Sequence, residues 1–121
     1  MLNRFLEVAE VIGLTITLNR ARSRRGPKAL TSSLRSRAMN VAARSPEERA
    51  RLQRVIRVVD KCFPTGPNCY RRALVEIAMD AGAASEGLHL GLMAAGGRDS
   101  GHAWLASWPE ADRRYDAELV V

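Results

Sequence analysis

The chain predicts an α+β fold, with N-terminal helices followed by a small antiparallel sheet. Three observations predict it. Apolar residues recur every three or four positions through the first two thirds, the period changes to two after Gly87, and glycines and prolines punctuate the alternating runs. At 121 residues the chain fits a single domain, 1–121, long enough to bury roughly two-thirds of its unfolded surface. A content of 46% hydrophobic and 26% charged residues is that of a globular domain, neither disordered nor membrane-like.

A first helix is expected from Leu2 to Leu18, with Phe5, Leu6, Ala9, Ile12 and Ile16 on its apolar face. Gly13 and the β-branched residues after it weaken the second half. Arg20, Arg22, Arg24 and Arg25 follow, closed by the breaker pair Gly26-Pro27. A second helix is expected from Lys28 to Ala43, with Leu30, Leu34, Ala38 and Val41 on one face. The third has a strong start signal. Ser45 can cap, Pro46 suits the first helical position, and Glu47 and Glu48 favour the positive end of the dipole. Leu52, Val55, Ile56 and Val59 form its buried stripe.

The segment CFPTGPN, residues 62–68, reads as a constrained turn. Asn68 then caps a fourth helix whose apolar face is Ala73, Leu74, Ile77, Ala78 and Ala81, with Gly82 as terminator. Leu88, Leu90 and Leu92 alternate with His89, Gly91 and Met93 in a first strand. Gly96 and Gly97 turn the chain into a second strand, about Gly101 to Ser107. A further turn through Pro109 leads to a third, Arg113 to Val121.

The net charge of +6 is unevenly placed. Residues 1–61 carry 14 Lys or Arg against 5 Asp or Glu (+9), and residues 62–121 carry 5 against 8 (−3), a basic helical part and a part holding the candidate chemistry. The apolar run Val11 to Leu18 falls short of the ~20 residues a bilayer crossing requires. Arg4, Glu7 and Glu10 do not fit a signal peptide, so the expected location is the cytoplasm, with no membrane association. Cys62 and Cys69 are then expected to stay thiols.

Cys69 falls in the first turn of a helix, where unpaired amides and the helix dipole favour the thiolate and can also stabilise an oxyanion. A small buried cysteine at a helix start is the competing reading. Cys62 lacks this placement and reads as structural. A thiol nucleophile needs a base, and His89 and His102 are the available imidazoles. His102 follows Ser100 and Gly101, where glycine permits close approach, and it shares a strand face with Trp104. His89 reads more simply as a strand residue. A carboxylate completes a triad. Asp116 is the first choice, set opposite His102 if the second and third strands pair directly; a longer turn puts Glu118 there instead, and Asp112 is the second choice.

The runs Cys69-Tyr70-Arg71-Arg72-Ala73-Leu74, Leu88-His89-Leu90-Gly91-Leu92 and Gly101-His102-Ala103-Trp104-Leu105 together resemble the transglutaminase-like cysteine peptidases that process lasso peptide precursors. The resemblance covers about residues 49–121. It implies a transglutaminase-like, papain-like core, with Cys69 as nucleophile, His102 as base and Asp116 orienting His102. It further implies leader removal from a precursor peptide, no cofactor, a separate leader-recognition protein and a lasso cyclase as partners. Departures from the family pattern at Ala106 and in the turn through Trp108 and Pro109 keep Asp112 in play.

Three rival readings stand beside it. A cysteine triad also runs acyl transfer or deamidation through the same thioester. The +9 front half suggests a nucleic-acid-binding module, but it lacks interleaved aromatics. A metal site from Cys62, Cys69, His89 and His102 lacks the close paired spacing of zinc ligands.

Overall fold

The computed structural model describes residues 2–92, 101–109 and 115–121. Five helices are described, α1 (Leu2–Ala21), α2 (Pro27–Ala38), α3 (Pro46–Lys61), α4 (Cys69–Met79) and α5 (Ala81–Ala84). Three strands follow, β1 (Leu88–Leu92), β2 (Gly101–Leu105) and β3 (Ala117–Val120). The fold is α+β, helices first and a small antiparallel sheet after. The expected Gly96-Gly97 turn and the start of the third strand at Arg113 lie outside the described residues.

The α3 start follows its sequence signal. Ser45 accepts from the Glu48 amide while the Glu48 carboxylate accepts from the Ser45 amide, a reciprocal capping box with Pro46 at the first position. Asn68 caps α4 by accepting from the Arg71 amide at 2.8 Å. α4 is the central element. It packs against α1, α2, α3 and β2, and from Ala73 to Met79 every residue is buried.

α4 ends earlier than the Gly82 signal implies. Asp80 is extended, closing α4 after Met79 and capping α5 by accepting from the Gly82 amide. Asp80 also accepts from the Arg44 amide at 3.0 Å, so a tertiary bond fixes this corner. α2 stops at Ala38, short of the expected Ala43, and its buried face is Leu30, Thr31, Leu34 and Ala38.

α1 reverses the expected orientation. Val11, Leu14, Thr15 and Leu18 are buried, whereas Phe5, Leu6, Ile12 and Ile16 are exposed. Both stripes have helical spacing, and the buried one accommodates a threonine because Thr15 Oγ1 donates to the Val11 carbonyl at 2.7 Å.

The sheet order is β2-β1-β3. β1 pairs antiparallel with both neighbours, Gly91 lying opposite His102 on one side and Glu118 on the other. The expected direct pairing of the second and third strands is therefore corrected: the first strand lies between them. Alternation then assigns the two faces. Leu88, Ala103 and Leu105 face the helices in the core cluster, while His89, Gly91, His102, Trp104 and Glu118 face away.

Candidate functional site

Two prolines and Gly66, with φ of 82°, shape the turn before α4. Its closure depends on Arg71, fully buried one turn into α4. Its Nε donates to Asp60 Oδ1 at 2.7 Å, and its other nitrogens reach Asn19 Oδ1 (2.8 Å), Thr65 Oγ1 (3.2 Å) and the Gly66 carbonyl (2.9 Å). The guanidinium also lies 4.3 Å from the Phe63 ring centroid. Asp60 Oδ2 accepts from the Asn68 amide at 2.8 Å, carrying the clamp to the residue before the thiol.

Cys69 occupies the first position of α4, as the sequence reading expected. Both cysteines are free thiols, Cys62 exposed and Cys69 half-buried. The Ala103 amide donates to Cys69 Sγ at 3.3 Å. The thiol borders an open, largely apolar cavity of about 540 Å³ lined by Tyr70, Leu90, Leu92, Ala103 and Leu119 among others, with His102 and Glu118 also at its wall. The Tyr70 hydroxyl is buried with no partner among the described residues, and burial pushes its ionisation above the ordinary tyrosine range, with Arg22 opposing.

His102 sits one residue from that thiol contact, but its side chain leaves the strand on the face away from α4. Its ring stacks with Trp104 (centroids 6.2 Å apart) and Tyr115 (6.3 Å), and its Nε2 is buried with no hydrogen-bond partner among the described residues. Trp104 and Tyr115 stack more closely, at 4.5 Å. They meet above Gly91, where an added Cβ would lie 2.6 Å from Tyr115 and 2.8 Å from Trp104. The structure thus brings Cys69 and His102 to either side of Ala103, with the Ala103 amide as the thiol's partner.

The carboxylates fall differently from expectation. Glu118 is level with His102 but separated from it by β1, and it bonds His89 Nδ1 at 2.7 Å. Asp116 lies just before β3, its amide donating to the Leu92 carbonyl at 3.0 Å, so it is diagonal to His102 rather than opposite it. Asp112 lies outside the described residues. His89 also stacks on Trp104 at 5.4 Å, so it is a strand residue partnered by Glu118 and Trp104 on its own face of the sheet.

A second ionic cluster supports the far end of α4. Arg49 donates to Glu76 Oε2 at 2.8 Å and lies 3.5 Å from Asp80 Oδ2. Burial pushes the Glu76 carboxyl above its ordinary range, although Arg49 and Gln53 donate to it. For Glu86 burial pushes the same way, but hydrogen bonds from Arg49 and Ser107 outweigh it and hold the carboxyl below its ordinary range. Sequence reasoning missed Arg71, Arg49, Asp60 and Tyr115. Charged residues are ordinarily exposed, and only the placement of Arg71 one turn after a proline-rich bend hinted at a clamp.

Among the described residues no helix is long and apolar enough to cross a membrane, and no group of three His, Cys, Asp or Glu gathers to hold a metal. Comparison with protein-family models, curated proteins and solved structures found no match for this chain.

Proposed function

We propose that this protein is a cysteine peptidase that removes the leader from a lasso peptide precursor, with Cys69 as nucleophile and His102 as base. The observation that carries the proposal is the position of Cys69 at the start of α4, on an open cavity, with an amide directed at its sulfur. The resemblance of the Cys69, His89 and His102 runs to lasso peptide peptidases supplies the substrate.

In this reading Sγ attacks the scissile carbonyl carbon, the carbonyl π pair moves to oxygen, and His102 takes the thiol proton. Collapse breaks the C–N bond, His102 returns the proton to the departing amine, and water then hydrolyses the thioester. The imidazole must leave its stack to do this. The Ala103 nitrogen is three bonds from His102 Cβ and 3.3 Å from Sγ. The sulfur therefore lies within about 7 Å of that Cβ, a gap that an imidazole and one hydrogen bond can span. A change of rotamer at the edge of β2 is the movement required. Asp116 is proposed as the orienting carboxylate, with Asp112 second; comparing Asp116→Asn and Asp112→Asn tests the choice, and loss of the orienting group costs about ten-thousand-fold in rate.

Cys69→Ala is expected to abolish cleavage of the precursor while the protein stays folded. Full cleavage by that variant refutes the peptidase reading. Mass analysis of the products separates hydrolysis from acyl transfer or deamidation by the same thioester. The leader-recognition protein and cyclase belong to this proposal as partners.

A further inference from the structure

Cys69 stands at the outer edge of β2. The sheet order puts β2 at one end with β1 beside it, and the Ala103 amide is directed at Sγ, 3.3 Å away. From the thiol the cavity of about 540 Å³ runs inward beneath the sheet, since its wall includes Cys69 and Tyr70 from α4 and residues of all three strands. The register explains the path. Ala103 pairs with Leu90 and Leu90 with Leu119, one row across β2, β1 and β3 whose side chains share the helix-facing side. With strands about 4.8 Å apart, that row carries the cavity about 10 Å across the sheet, from the thiol's side to β3.

The row is apolar from end to end, and Leu92 extends it. Glu118 also borders the cavity, but its carboxylate is held by His89 Nδ1 at 2.7 Å on the other face of the sheet. A charged side chain entering beneath the sheet would give up water against hydrocarbon, which is costly. A large apolar one gains in proportion to the area it buries, and the volume lies in the range of pockets that hold small ligands. The bonding decides which residue supplies it. In the thioester the Cα of the acyl residue is two bonds from Sγ, whereas the other side of the cut departs with the amine.

We propose that this cavity is a specificity pocket that takes a large apolar side chain, phenylalanine or leucine, from the residue whose carbonyl Cys69 attacks. This rests on the reading of Cys69 as a peptidase nucleophile and names the substrate residue at that site. The side chain enters past the thiol, lies against Ala103 and Leu90, and ends at Leu119. Leu119 therefore sets the depth of the pocket. It is 57% exposed on β3, two strands away from the thiol, and it determines which residue fits rather than how the bond is cut.

The test uses Cys62→Ser protein, so that Cys69 is the one thiol, and the chloromethyl ketones of acetyl-Phe, acetyl-Leu, acetyl-Ala and acetyl-Glu. Sγ displaces chloride from each, forming C–S, breaking C–Cl and releasing the thiol proton to the base. Each rate is divided by that probe's rate with N-acetylcysteine, which removes differences in intrinsic reactivity. The phenylalanine and leucine probes are expected to label at least ~10-fold faster than the alanine probe, and the glutamate probe no faster than alanine. Acetyl-Phe-Gly chloromethyl ketone, which moves the ring one residue from the sulfur, should lose the advantage, a readout that needs no protein variant. Leu119→Trp, which fills the far end, should reduce the advantage of phenylalanine more than that of leucine, with urea unfolding as the check that the variant is folded. Equal rates for the phenylalanine, leucine and alanine probes overturn the pocket. So does a faster glutamate probe, an advantage that persists in acetyl-Phe-Gly, or a phenylalanine advantage undiminished in folded Leu119→Trp. A thiol inert to every probe and to iodoacetamide overturns the peptidase reading and the pocket together. The expected selectivity in a protein that cuts no lasso precursor leaves the pocket standing and removes the proposed substrate.

Discussion

Replacing Arg71 with methionine tests how the start of α4 is held. The substitution keeps an unbranched side chain of similar reach and removes every donor. Arg71 is fully buried and Asp60 is 2% exposed, so the pair they form is shielded from solvent. Removing one partner of a buried ion pair costs about 3–5 kcal/mol, because the other charge is left unpaired. Asp60 would keep the Asn68 amide at 2.8 Å and Arg72 Nε at 3.7 Å, which argues for the lower half of that range. Even ~3 kcal/mol is a large share of the 5–15 kcal/mol typical of domains. Urea unfolding followed by tryptophan fluorescence reads the loss. With a slope of about 1–3 kcal/mol/M, the midpoint should fall by at least ~1 M. Arg71→Lys should recover little, since a single ammonium cannot fork to Asp60, Asn19 and Gly66 together. Adding Asp60→Asn to Arg71→Met should restore at least ~1 kcal/mol, because the amide still accepts from Asn68 and carries no charge. A loss below ~1 kcal/mol, or a double variant weaker than Arg71→Met, would refute the reasoning.

Arg49→Leu should cost about 3–5 kcal/mol at neutral pH by stranding Glu76 and Asp80, both buried. The raised Glu76 group binds its proton more tightly folded than unfolded, so its contribution to stability falls as pH rises from the ordinary glutamate range through the raised value. The deficit of Arg49→Leu should therefore shrink towards acid, and a deficit that grows there would contradict the assignment. Gly91→Ala should cost about 1–3 kcal/mol, because its Cβ would meet the Tyr115 and Trp104 rings. Tryptophan emission should shift with it, and a neutral substitution would show that the stack is not packed on Gly91. On α1, Leu18→Ala should cost about 2–5 kcal/mol and the exposed Ile16→Ala under ~1 kcal/mol, measured by thermal unfolding. The reverse order would restore the face first expected for that helix.

The helices with local stop and start chemistry were legible in the sequence. Ser45-Pro46-Glu47-Glu48 and Asn68 act through bonds within four residues, so their meaning does not depend on the rest of the fold. Cys69 inherits its place at a helix start from the same local signal. The alternation of Leu88, Leu90 and Leu92 likewise located the strands. What was not legible depends on distant partners. α1 carries two stripes of helical period, and only packing against α4 decides between Ile12 and Val11. Sequence neighbours usually pair, yet β1 lies between β2 and β3, and with that insertion Asp116 moved away from the position opposite His102. The same register gave Glu118 to His89. The side of β2 from which the His102 ring departs followed from its pairing with Gly91, which no short motif contains.

The charge count divides this chain after Lys61, into a basic front and a part that holds the thiol. Arg71 ignores that division. It binds Asn19 and Asp60 from the front and Thr65 and Gly66 from the turn, so the two parts are not exchangeable modules. A chimaera joined at residue 61 would take its Asn19 and Asp60 positions from another lineage and lose the partners that shape the approach to Cys69. Variation in the front half is thus constrained by the geometry of a single sulfur atom, and the two halves must change in concert.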